Sequence, residues 1–595
     1  MKKYLIFTML LLGTVNGFAQ KSPNGKIKVE AKEYEGLVVK YAGRKLFDVN
    51  ISVESKKAFS TRKLHDSYDM RVGKSLHNES DCAEASYKMT DGKTLVVRAY
   101  NDGVVWRTVG EDVKDVTIDM SAAKNSWLQK WTEPYESFYD LNVEEGEGKR
   151  WAYPSLFEFD KDVFTLITES DIEKYNSASC LYSTSKKGEF KIVPDQNEVE
   201  CKQSPWRVAI IGSKKDVVES TLVTDVAPAN RLGDVSWVKP GVASWVYWAY
   251  NHGSNDLNII KKYVDMAVEL KLPYVLIDAE WDEMKDGKKV EDAIKYACDN
   301  SVEPIIWYNS SVGWINGAPG PKFRLNKQED RDKEFAYISS IGVKGVKIDF
   351  FSGDNQMNMQ YMIELLESAA KHHLTVNFHG ATLPRGWQRT YPNLVSTEGV
   401  YGAEWYNNVP TFTKKAAKHN ATLPFTRNVV GSMDYTPCAF TDSQHPHITT
   451  HAHELALTAL YESGVQHLAD RPESFLSQPS TVKNYLSSLP AAWDESRFID
   501  GYPGEYVVMA RRKGARWYIA AINGTDEEKD IPTGLSSIKG KKKNLYLFAD
   551  GDSKEEPWKL MLCEHEKFIP ASIHCKARGG FVIVICNDEL SKIVK

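Results

Sequence analysis

The 595-residue sequence lacks several features that would assign it to a familiar class of protein. Its eight cysteines include no CxxC pair, which argues against a zinc ribbon and a thioredoxin-like site. The net charge is only −5, so no general field favours nucleic acid or an anionic membrane as a partner. Beyond the N-terminus no apolar run approaches the length of a membrane span, and there is no long repeat or low-complexity linker. With 42% apolar and 26% charged residues, the chain has the balance of a globular protein.

Aromatic side chains are what the sequence has in abundance. They make up 11% of the residues and include 16 Trp and 29 Tyr. Trp and Tyr combine a flat apolar face with a polar edge, which suits sugars, because a sugar ring has apolar C–H faces and a rim of hydroxyl groups. A large core would account for the same composition. Composition therefore allows a carbohydrate-active protein without requiring one.

The N-terminal residues Met1–Ala19 have the pattern of a secretory signal peptide. Two lysines precede the apolar run Tyr4–Leu12, and small residues stand where signal peptidase would cleave. We expect an exported protein, periplasmic if the host has two membranes. Disulfides would then be possible, for example between Cys180 and Cys201, although scattered cysteines are as often buried small hydrophobes.

The sequence predicts a multidomain α/β plus β protein with three parts after the signal peptide. Short alternating runs over residues 20–236 predict a sandwich of antiparallel strands, and residues 496–595 predict a smaller antiparallel β domain. Between them, residues 237–495 alternate apolar strands with helical stretches. Eight such units over about 250 residues predict a (β/α)8 TIM barrel; the alternative, a doubly wound sheet, lacks a GxGxxG motif after its first strand. The predicted barrel strands are Ser244–Trp248, Tyr274–Asp278, Pro304–Tyr308, Gly345–Phe350, Thr375–His379, Asn393–Glu398, Leu423–Val429 and Val465–Asp470.

Acidic residues follow several of the predicted barrel strands, at the end where barrels carry their chemistry. The second strand ends at Asp278, the fourth at Asp349 and the sixth at Glu398, with Glu404 six residues later. Glycoside hydrolysis uses such a pair: one acid protonates the leaving oxygen, and a second carboxylate attacks the anomeric carbon or activates water. Strand-end acids also cap helices or form ion pairs, and Lys347 would lie on the same strand face as Asp349.

Two further groups of residues bear on the chemistry. The histidines at 445, 447, 451 and 453 form two HxH pairs that would suit zinc, although a catalytic zinc site usually has a more ordered ligand pattern. They can equally be polar residues of a loop and a helix start near a sugar site. Tryptophans at or just beyond the predicted strand ends are candidate platforms for sugar rings, namely Trp248, Trp281, Trp307, Trp387 and Trp405.

A set of short motifs, taken together and in order, makes the sequence resemble glycoside hydrolase family 97, a family of exported polysaccharide-degrading enzymes of Bacteroidetes-type bacteria. The resemblance covers nearly the whole mature chain. It implies an N-terminal β-supersandwich, a (β/α)8 barrel and a C-terminal β domain, in agreement with the segmentation above. The motifs are Asn101–Arg107, Leu166–Ser170, Ser204–Arg207, Gly345–Phe350, His379-Gly380, Arg389–Leu394, Glu398–Val400, Gly402–Glu404, Pro424–Asn428, Met433–Pro437 and Leu468–Asp470.

The resemblance also implies a mechanism. The family has an inverting α-glucosidase branch without a carboxylate at the end of the fourth strand, and a retaining branch with an Asp there. Asp349 therefore implies retention, with Asp349 as nucleophile and Glu404 as general acid/base. No Asp or Glu occupies Thr375–Thr382, where the inverting branch would need a base and this chain has His379.

The activity that the resemblance implies is that of an exo-acting α-galactosidase on oligosaccharides or polysaccharide-derived substrates. A β-L-arabinopyranosidase is the first alternative, because that sugar has the ring stereochemistry of galactose without the hydroxymethyl group. An inverting α-glucosidase comes next. A non-catalytic glycan-binding protein belongs to a different class, and the pair of Asp349 and Glu404 argues against it, since binding alone needs no such pair.

Finally, the resemblance implies a calcium ion at the catalytic site. Residue matching gives Glu169, from the N-terminal domain, and Glu398 as ligands, with Glu404 as a third. Carboxylate oxygens suit Ca²⁺, and a ligand from the first domain would tie the sandwich to the barrel. The residues expected to contact substrate are Trp281, Trp307 and His379.

Overall fold

The structure is a computed structural model, and the predicted signal peptide lies outside its described residues except for Ala19. Trp248 and His445 lie outside the described residues too. Within the described part of the chain, no helix is long and apolar enough to cross a bilayer. The structure describes residues 19–110, 116–195, 201–247, 251–442, 446–538, 544–563, 569–587 and 589–590, without the side chains of residues 19 and 407.

The N-terminal domain is one hydrogen-bonded sheet of 16 strands that folds back on itself, so that β2 packs against β7 and β8. Alternate side chains along such strands point to opposite faces, and the buried ones fill the space between the layers. The predicted sandwich is confirmed. Its strands are β1 Ala19–Lys21, β2 Ile27–Lys32, β3 Gly36–Tyr41, β4 Arg44–Asn50, β5 Ser60–Asp69, β6 His77–Lys88, β7 Thr94–Tyr100, β8 Gly103–Val109, β9 Thr117–Asp119, β10 Asn125–Lys130, β11 Tyr139–Leu141, β12 Arg150–Phe159, β13 Val163–Ser170, β14 Ser179–Ser183, β15 Glu189–Pro194 and β16 Trp206–Gly212.

The central domain is a nearly closed parallel barrel of seven strands, in the order β22-β21-β20-β19-β18-β17-β23. Its strands are short and almost entirely buried, because helices cover the outer face. All carboxyl ends therefore meet at one end of the barrel. The strands are β17 Gly241–Trp245, β18 Tyr274–Ile277, β19 Glu303–Asn309, β20 Gly345–Asp349, β21 Thr375–Phe378, β22 Leu394–Thr397 and β23 Val465–Leu468.

The predicted strand Leu423–Val429 is wrong: this segment forms two short 3₁₀ turns. Pro424 has no N–H to give to a ladder. Instead of forming a strand, this segment places the Arg427 guanidinium at the end of β22, where it donates to the carbonyls of Thr397 (2.9 Å) and Glu398 (3.0 Å). A buried arginine thus satisfies backbone groups that a neighbouring strand would otherwise pair.

The helices of the chain lie mostly around the barrel. Leu257–Glu269 is typical: Asp256 caps its first turn by accepting from the Asn258 N–H (2.9 Å), and Ile260, Val264 and Ala267 line its buried face. The α-helices are Lys214–Glu219, Leu222–Asp225, Leu257–Glu269, Val290–Asp299, Gln328–Ser340, Gln356–Lys371, Trp387–Thr390, Pro410–Asn420, His451–Leu460, Pro472–Leu476 and Ser480–Ser488, and the 3₁₀ turns are Trp281–Glu283, Ala403–Asn407, Leu423–Phe425, Arg427–Val429 and Leu535–Ser537.

The C-terminal domain is an antiparallel six-stranded sheet, β24-β25-β26-β31-β28-β29, beside the small pair β27-β30. It has a hydrophobic core of its own and packs on the barrel helix His451–Leu460. Arg511 links the two by donating to the carbonyls of Ala459 (3.0 Å) and Leu460 (2.9 Å). Its strands are β24 Glu495–Tyr502, β25 Tyr506–Lys513, β26 Arg516–Asn523, β27 Lys529–Pro532, β28 Asn544–Asp550, β29 Trp558–Cys563, β30 Ser572–Cys575 and β31 Gly580–Cys586. No disulfide joins any of the eight cysteines, all of which the structure describes, so the suggested pair of Cys180 and Cys201 is not formed; all are buried apart from the exposed Cys298.

Candidate active site

A cavity of about 830 Å³ opens at the carboxyl ends of the barrel strands. This volume lies in the range of small-molecule sites. The N-terminal domain contributes to its wall through the loop between β10 and β11. Of the residues predicted for the site, the cavity is lined by Asp278, Trp307, Lys347, Asp349, Glu398, Glu404 and Trp405.

Asp349 lies at the end of β20 with its carboxylate oriented by two donors. Trp307 Nε1 donates to Oδ2 at 3.1 Å, and the N–H of Phe350 donates to Oδ1 at 2.8 Å. Burial raises the pKa of Asp349, while the positive charges of Lys347 and His379 act in the opposite direction. Its side chain is therefore held in one position, and although the nearby cations favour the ionised form, burial outweighs them and the pKa of Asp349 stays above its usual value.

Glu398 and Glu404 form a pair with opposite protonation. Burial works against ionisation of Glu398, yet the charge and hydrogen bond of His379 outweigh it and lower its pKa to about 2. The Gly380 N–H adds a bond to Glu398 Oε2 at 2.7 Å. Burial and the neighbouring Glu398 charge instead raise the pKa of Glu404 well above its usual value. One carboxylate of the pair is thus ionised while the other keeps its proton, the pattern of a general acid beside a charged group.

His379 occupies the end of β21 and faces both glutamates. Its Nδ1 lies 3.2 Å from Glu398 Oε1 and 3.8 Å from Glu404 Oε1. Its other nitrogen, Nε2, lies 2.8 Å from Oδ2 of the fully buried Asp434. The imidazole therefore bridges the carboxylate pair and a third, deeper acid.

Asp434 is a residue of this network that the sequence did not single out. Its Oδ2 accepts from Asn377 Nδ2 (2.7 Å) and from His379, and lies 2.6 Å from His467 Nδ1. Although burial opposes it, the charge of His467 and the histidine hydrogen bonds lower the pKa of Asp434 well below its usual range. The fixed negative charge orients His379, in the manner of a carboxylate behind a catalytic or metal-binding histidine. The only sequence signal was its place in the motif Met433–Pro437.

Asp278 and Lys347 form a second polar group on the cavity wall. Lys347 Nζ donates to Asp278 Oδ2 at 3.2 Å, and Trp245 Nε1 donates to the same oxygen at 2.7 Å. Burial disfavours the lysine charge, but Asp278 and the site glutamates raise the pKa of Lys347 above its usual range. The expected ion pair between Lys347 and Asp349 is thus replaced by one between Lys347 and Asp278.

Glu136, from the N-terminal domain, completes the acidic side of the cavity. It lies in the loop after β10 and accepts from Trp405 Nε1 at 3.1 Å. Burial, then the charges of Glu398 and Glu404, raise its pKa well above the usual value. Glu136, Glu398 and Glu404 thus line one cavity from two domains, and carboxylate oxygens are the donors that a hard divalent cation prefers. His379, Glu398 and Glu404 offer ligand atoms within 4.8 Å of one another.

Glu169, predicted as a metal ligand, lies elsewhere, and this prediction is corrected. The cavity lining does not include it. Its Oε2 accepts from Arg207 Nη1 (2.5 Å) and Ser179 Oγ (2.6 Å), and its Oε1 from Arg385 Nε (2.7 Å). Two guanidinium groups already neutralise this carboxylate. Since Arg385 belongs to the barrel, Glu169 does join the two domains, but by an ion pair.

The predicted tryptophan platforms divide into two kinds. Trp307 and Trp405 line the cavity. The other two described ones do not: Trp281 is buried with its Nε1 donating to the Trp307 carbonyl (2.6 Å), and Trp387 is buried with its Nε1 donating to the Ile172 carbonyl (2.9 Å). Trp281 thus supports the strand that carries Trp307. Trp314, which is not among the predicted platforms, also lines the cavity.

The zinc alternative finds no geometric support among the described histidines of the 445–453 cluster. His447 lies 3.2 Å from Asp442, and His451 stacks on Phe440 at 5.1 Å. The His453 ring is buried against Asn420. These side chains point to separate partners, and none belongs to a described group close enough to share an ion.

Comparisons with known proteins cover the three domains in turn. Three family models match: "Glycosyl-hydrolase 97 N-terminal" over residues 21–228, "Glycoside hydrolase 97" over 237–400, and "Glycosyl-hydrolase 97 C-terminal, oligomerisation" over 492–586. A probable retaining alpha-galactosidase of Streptomyces bingchenggensis is 35% identical over 500 residues, covering 80% of this chain and 76% of that protein. A retaining alpha-galactosidase of Bacteroides thetaiotaomicron is 27% identical, covering 82% of each.

Solved structures share the same architecture. A crystal structure of a beta-arabinopyranosidase superposes with a TM-score of 0.84 at 26% identity, covering 95% of this chain and 99% of that one. A family 97 enzyme from Pseudoalteromonas sp. strain K8, in complex with acarbose, superposes with a TM-score of 0.83 at 20% identity and covers the same shares. At that identity the second likeness bears on the fold alone.

Proposed function

The chain belongs to glycoside hydrolase family 97, and on that premise we propose that it is an exo-acting, retaining α-galactosidase that uses a bound calcium ion. It would remove terminal α-galactosyl residues from oligosaccharides. The observation that carries the proposal is the pairing of Asp349, oriented by two donors, with Glu404, whose pKa is raised so that it holds a proton. A nucleophile and an acid with separate protonation states are what double displacement needs.

The reaction follows from these two residues. In the first step an Asp349 oxygen forms a bond to the anomeric carbon while the bond from that carbon to the leaving oxygen breaks, and Glu404 gives its proton to the leaving oxygen. In the second step the Glu404 carboxylate takes a proton from water, the water oxygen bonds to the anomeric carbon, and Asp349 is released. Two inversions at the anomeric carbon give net retention.

The inverting alternative is less well supported by the residues near the glutamate pair. Inversion requires a carboxylate that activates water on the face opposite the leaving group. The segment Thr375–Thr382 carries His379 and no acid, and both nitrogens of His379 face carboxylates. An imidazole held between Glu398 and Asp434 is poorly suited to serve as that base.

We propose that Glu136, Glu398 and Glu404 would hold the calcium. The donor set fits, because the three carboxylates line one cavity and because burial, followed by the charges of the neighbouring glutamates, raises the pKa values of Glu136 and Glu404. Bound there, calcium would supply positive charge beside the reacting oxygen. In this proposal the ligand from the N-terminal domain is Glu136 and not Glu169, the residue that the resemblance implies.

The choice of sugar rests on the relatives and on the polar side of the cavity. Asp278 and Lys347 offer an acceptor and a donor that suit vicinal sugar hydroxyls. The relative with 35% identity favours α-galactosides. A β-L-arabinopyranosidase is the second candidate, favoured by the structural likeness to such an enzyme, because both sugars share the ring stereochemistry that these two groups would meet.

NMR of the first product of an aryl glycoside tests the mechanism directly. We expect the anomeric configuration to be retained. Asp349→Gly should abolish turnover, by about 10⁴-fold or more, and azide should restore it by giving a glycosyl azide of inverted configuration. Azide can also rescue Glu404→Ala, by attacking the anomeric carbon of the glycosyl–Asp349 intermediate and releasing Asp349, which gives a glycosyl azide of retained configuration. The decisive result is therefore the inverted azide with Asp349→Gly. An inverted first product from the unmodified enzyme would overturn the proposal.

A panel of aryl α-galactoside, aryl β-L-arabinopyranoside and aryl α-glucoside separates the activities. We expect the fastest release of nitrophenol from the α-galactoside. Faster release from the arabinopyranoside would select the second candidate, and from the glucoside the third. No release from any of them, in the presence of calcium, would favour a glycan-binding protein.

A further inference from the structure

A large aromatic side chain at the cavity mouth has no part in the mechanism above. Trp314 follows β19 and lines the cavity, yet 51% of its surface is exposed. Its Nε1 is occupied by the Asn316 carbonyl at 2.7 Å, which leaves the flat face of the ring as the part open to a ligand. An exposed apolar face at the wall of a binding cavity is a place where a partner can be stacked.

Three aromatic rings lead from the nucleophile to this mouth. Trp307, only 1% exposed, donates to Asp349. The Phe350 ring contacts the Trp307 ring edge-to-face at 5.8 Å and the Trp314 ring at 4.8 Å. The row runs outward from the reacting carboxylate, so a ligand bound at Trp314 would lie just beyond a sugar that occupies the deep end.

The position of Trp314 is fixed to the nucleophile's own backbone. Ser310 donates from its N–H to the Asp349 carbonyl (2.8 Å) and from its hydroxyl to the Phe350 carbonyl (2.7 Å), and the Gly313 N–H donates to that carbonyl at 3.0 Å. A Cβ on Gly313 would lie 2.4 Å from the same oxygen. Phe350 has φ of +65°, an unusual backbone conformation for a bulky residue that the surrounding bonds must maintain.

We propose that Trp314, backed by Phe350, is the platform for the leaving-group sugar, and that it stacks on the apolar face of the pyranose next to the scissile bond. The inference rests on the proposed function, because an exo-acting enzyme holds the terminal sugar at the deep end and the leaving group at the mouth. It narrows the substrate class to glycosides whose leaving group is itself a sugar. A rigid platform gains affinity because little freedom is lost when the sugar stacks.

The test compares a substrate that has a leaving-group sugar with one that has none. We would measure kcat/KM for α-galactosyl disaccharides of several linkages and for α-galactosyl fluoride. Trp314→Ala should lower the value for the best disaccharide about five- to tenfold more than the value for the fluoride. Trp314→Phe, which keeps a ring, should recover most of the difference.

The matched control is Phe323→Ala, since Phe323 is a neighbouring aromatic of the same loop, 61% exposed, that does not line the cavity. It should leave both values unchanged. Equal losses on the two substrates with Trp314→Ala, or no loss on any disaccharide, would overturn the platform.

This outcome is separable from failure of the proposed function. If the enzyme prefers arabinopyranosides, the losses in kcat/KM caused by Trp314→Ala are compared for a β-L-arabinopyranosyl disaccharide and for the corresponding fluoride. If it hydrolyses none of these, calorimetry with Asp349→Gly compares disaccharide and monosaccharide binding. Adding Trp314→Ala should then weaken the binding of the disaccharide about five- to tenfold and leave the binding of the monosaccharide unchanged. A disaccharide affinity that Trp314→Ala does not change would overturn the proposed platform.

Discussion

Two groups of acidic side chains lie where the N-terminal domain meets the barrel, and they differ in the charges that face them. In the first, Glu169 accepts hydrogen bonds from Arg207 of its own domain and Arg385 of the barrel. In the second, Glu136 lies in the same cavity as Glu398 and Glu404, and their negative charges act on it. Each group lies between the same two domains and includes a glutamate of the first. The Glu169 group has two guanidinium groups for one carboxylate, whereas in the second group one imidazole, that of His379, faces both Glu398 and Glu404.

The difference separates a structural contact from a functional one. A buried carboxylate between two guanidinium groups has its charge and hydrogen bonds satisfied. Burial, together with the charges of neighbouring carboxylates, raises the pKa values of Glu136 and Glu404, so ionising them costs stability in the folded protein. Such unfavourable arrangements concentrate at functional sites, which supports the proposal that the second group takes part in the chemistry.

The largest effect expected from this contrast is on folding. Glu169→Ala should lower the free energy of unfolding by about 3–5 kcal/mol, because it leaves the guanidinium groups of Arg207 and Arg385 buried without their shared acceptor. Urea unfolding followed by fluorescence, with calcium present throughout, measures the loss.

Glu367→Ala is the matched control. Glu367 pairs with Lys174 at 2.6 Å across the same two domains, but both side chains are 39% exposed. Its removal should cost no more than about 1 kcal/mol. Similar losses in free energy of unfolding in the two variants would mean that the buried ion pairs of Glu169 stabilise the fold no more than an exposed ion pair does. Glu169 could then not be called the structural one of the two acidic groups.

The sequence alone reached the barrel and most of its strand-end acids, because both follow from periodicity. Asp349 and Glu398 stand at strand ends that alternating apolar and helical segments locate, and Glu404 follows shortly after. Glu136 could not be found in this way, since it lies in an irregular loop of a different domain. Glu169 stood near a strand end and matched the expected pattern, but its partner Arg385 is 216 residues away in sequence.

Contacts between residues far apart in sequence also decide two other features that the sequence did not predict. The segment Leu423–Val429 has the composition of a strand, yet the side chain of Arg427 takes over the hydrogen bonds of the β22 edge. Trp314 follows a glycine in a loop and has no periodic neighbours. What decides these cases is long-range pairing of polar groups, which a local pattern does not encode.

The next effect concerns calcium. EDTA should suppress activity, and added calcium should restore it. Glu136→Gln should raise the calcium concentration for half-maximal activity at least about tenfold, because even the loss of a residue that only supports a metal ligand has an effect of that size. The control is Glu133→Gln, because Glu133 lies in the same loop, lines the cavity and is exposed. Indifference of the native enzyme to EDTA and calcium would remove the metal from the mechanism, and equal shifts in both variants would remove Glu136 from the metal site.

The smallest effect is a pH dependence of stability without metal. The pKa of Glu136 is raised in the folded protein, so the folded state keeps a proton that the unfolded chain loses near its ordinary value of about 4.3. Stability is therefore greatest below that value and falls as the pH rises toward the folded pKa. In EDTA, the free energy of unfolding of the native enzyme should fall between about pH 5 and pH 8 by about 1 kcal/mol more than that of Glu136→Gln. The lowered pKa of Glu398, about 2, acts only below this window. If the free energy of unfolding changes with pH in the same way in both proteins, ionisation of Glu136 does not destabilise the fold. If added calcium stabilises the native enzyme most at the upper pH, Glu136 differs from Glu169 in needing a cation that the protein itself does not supply.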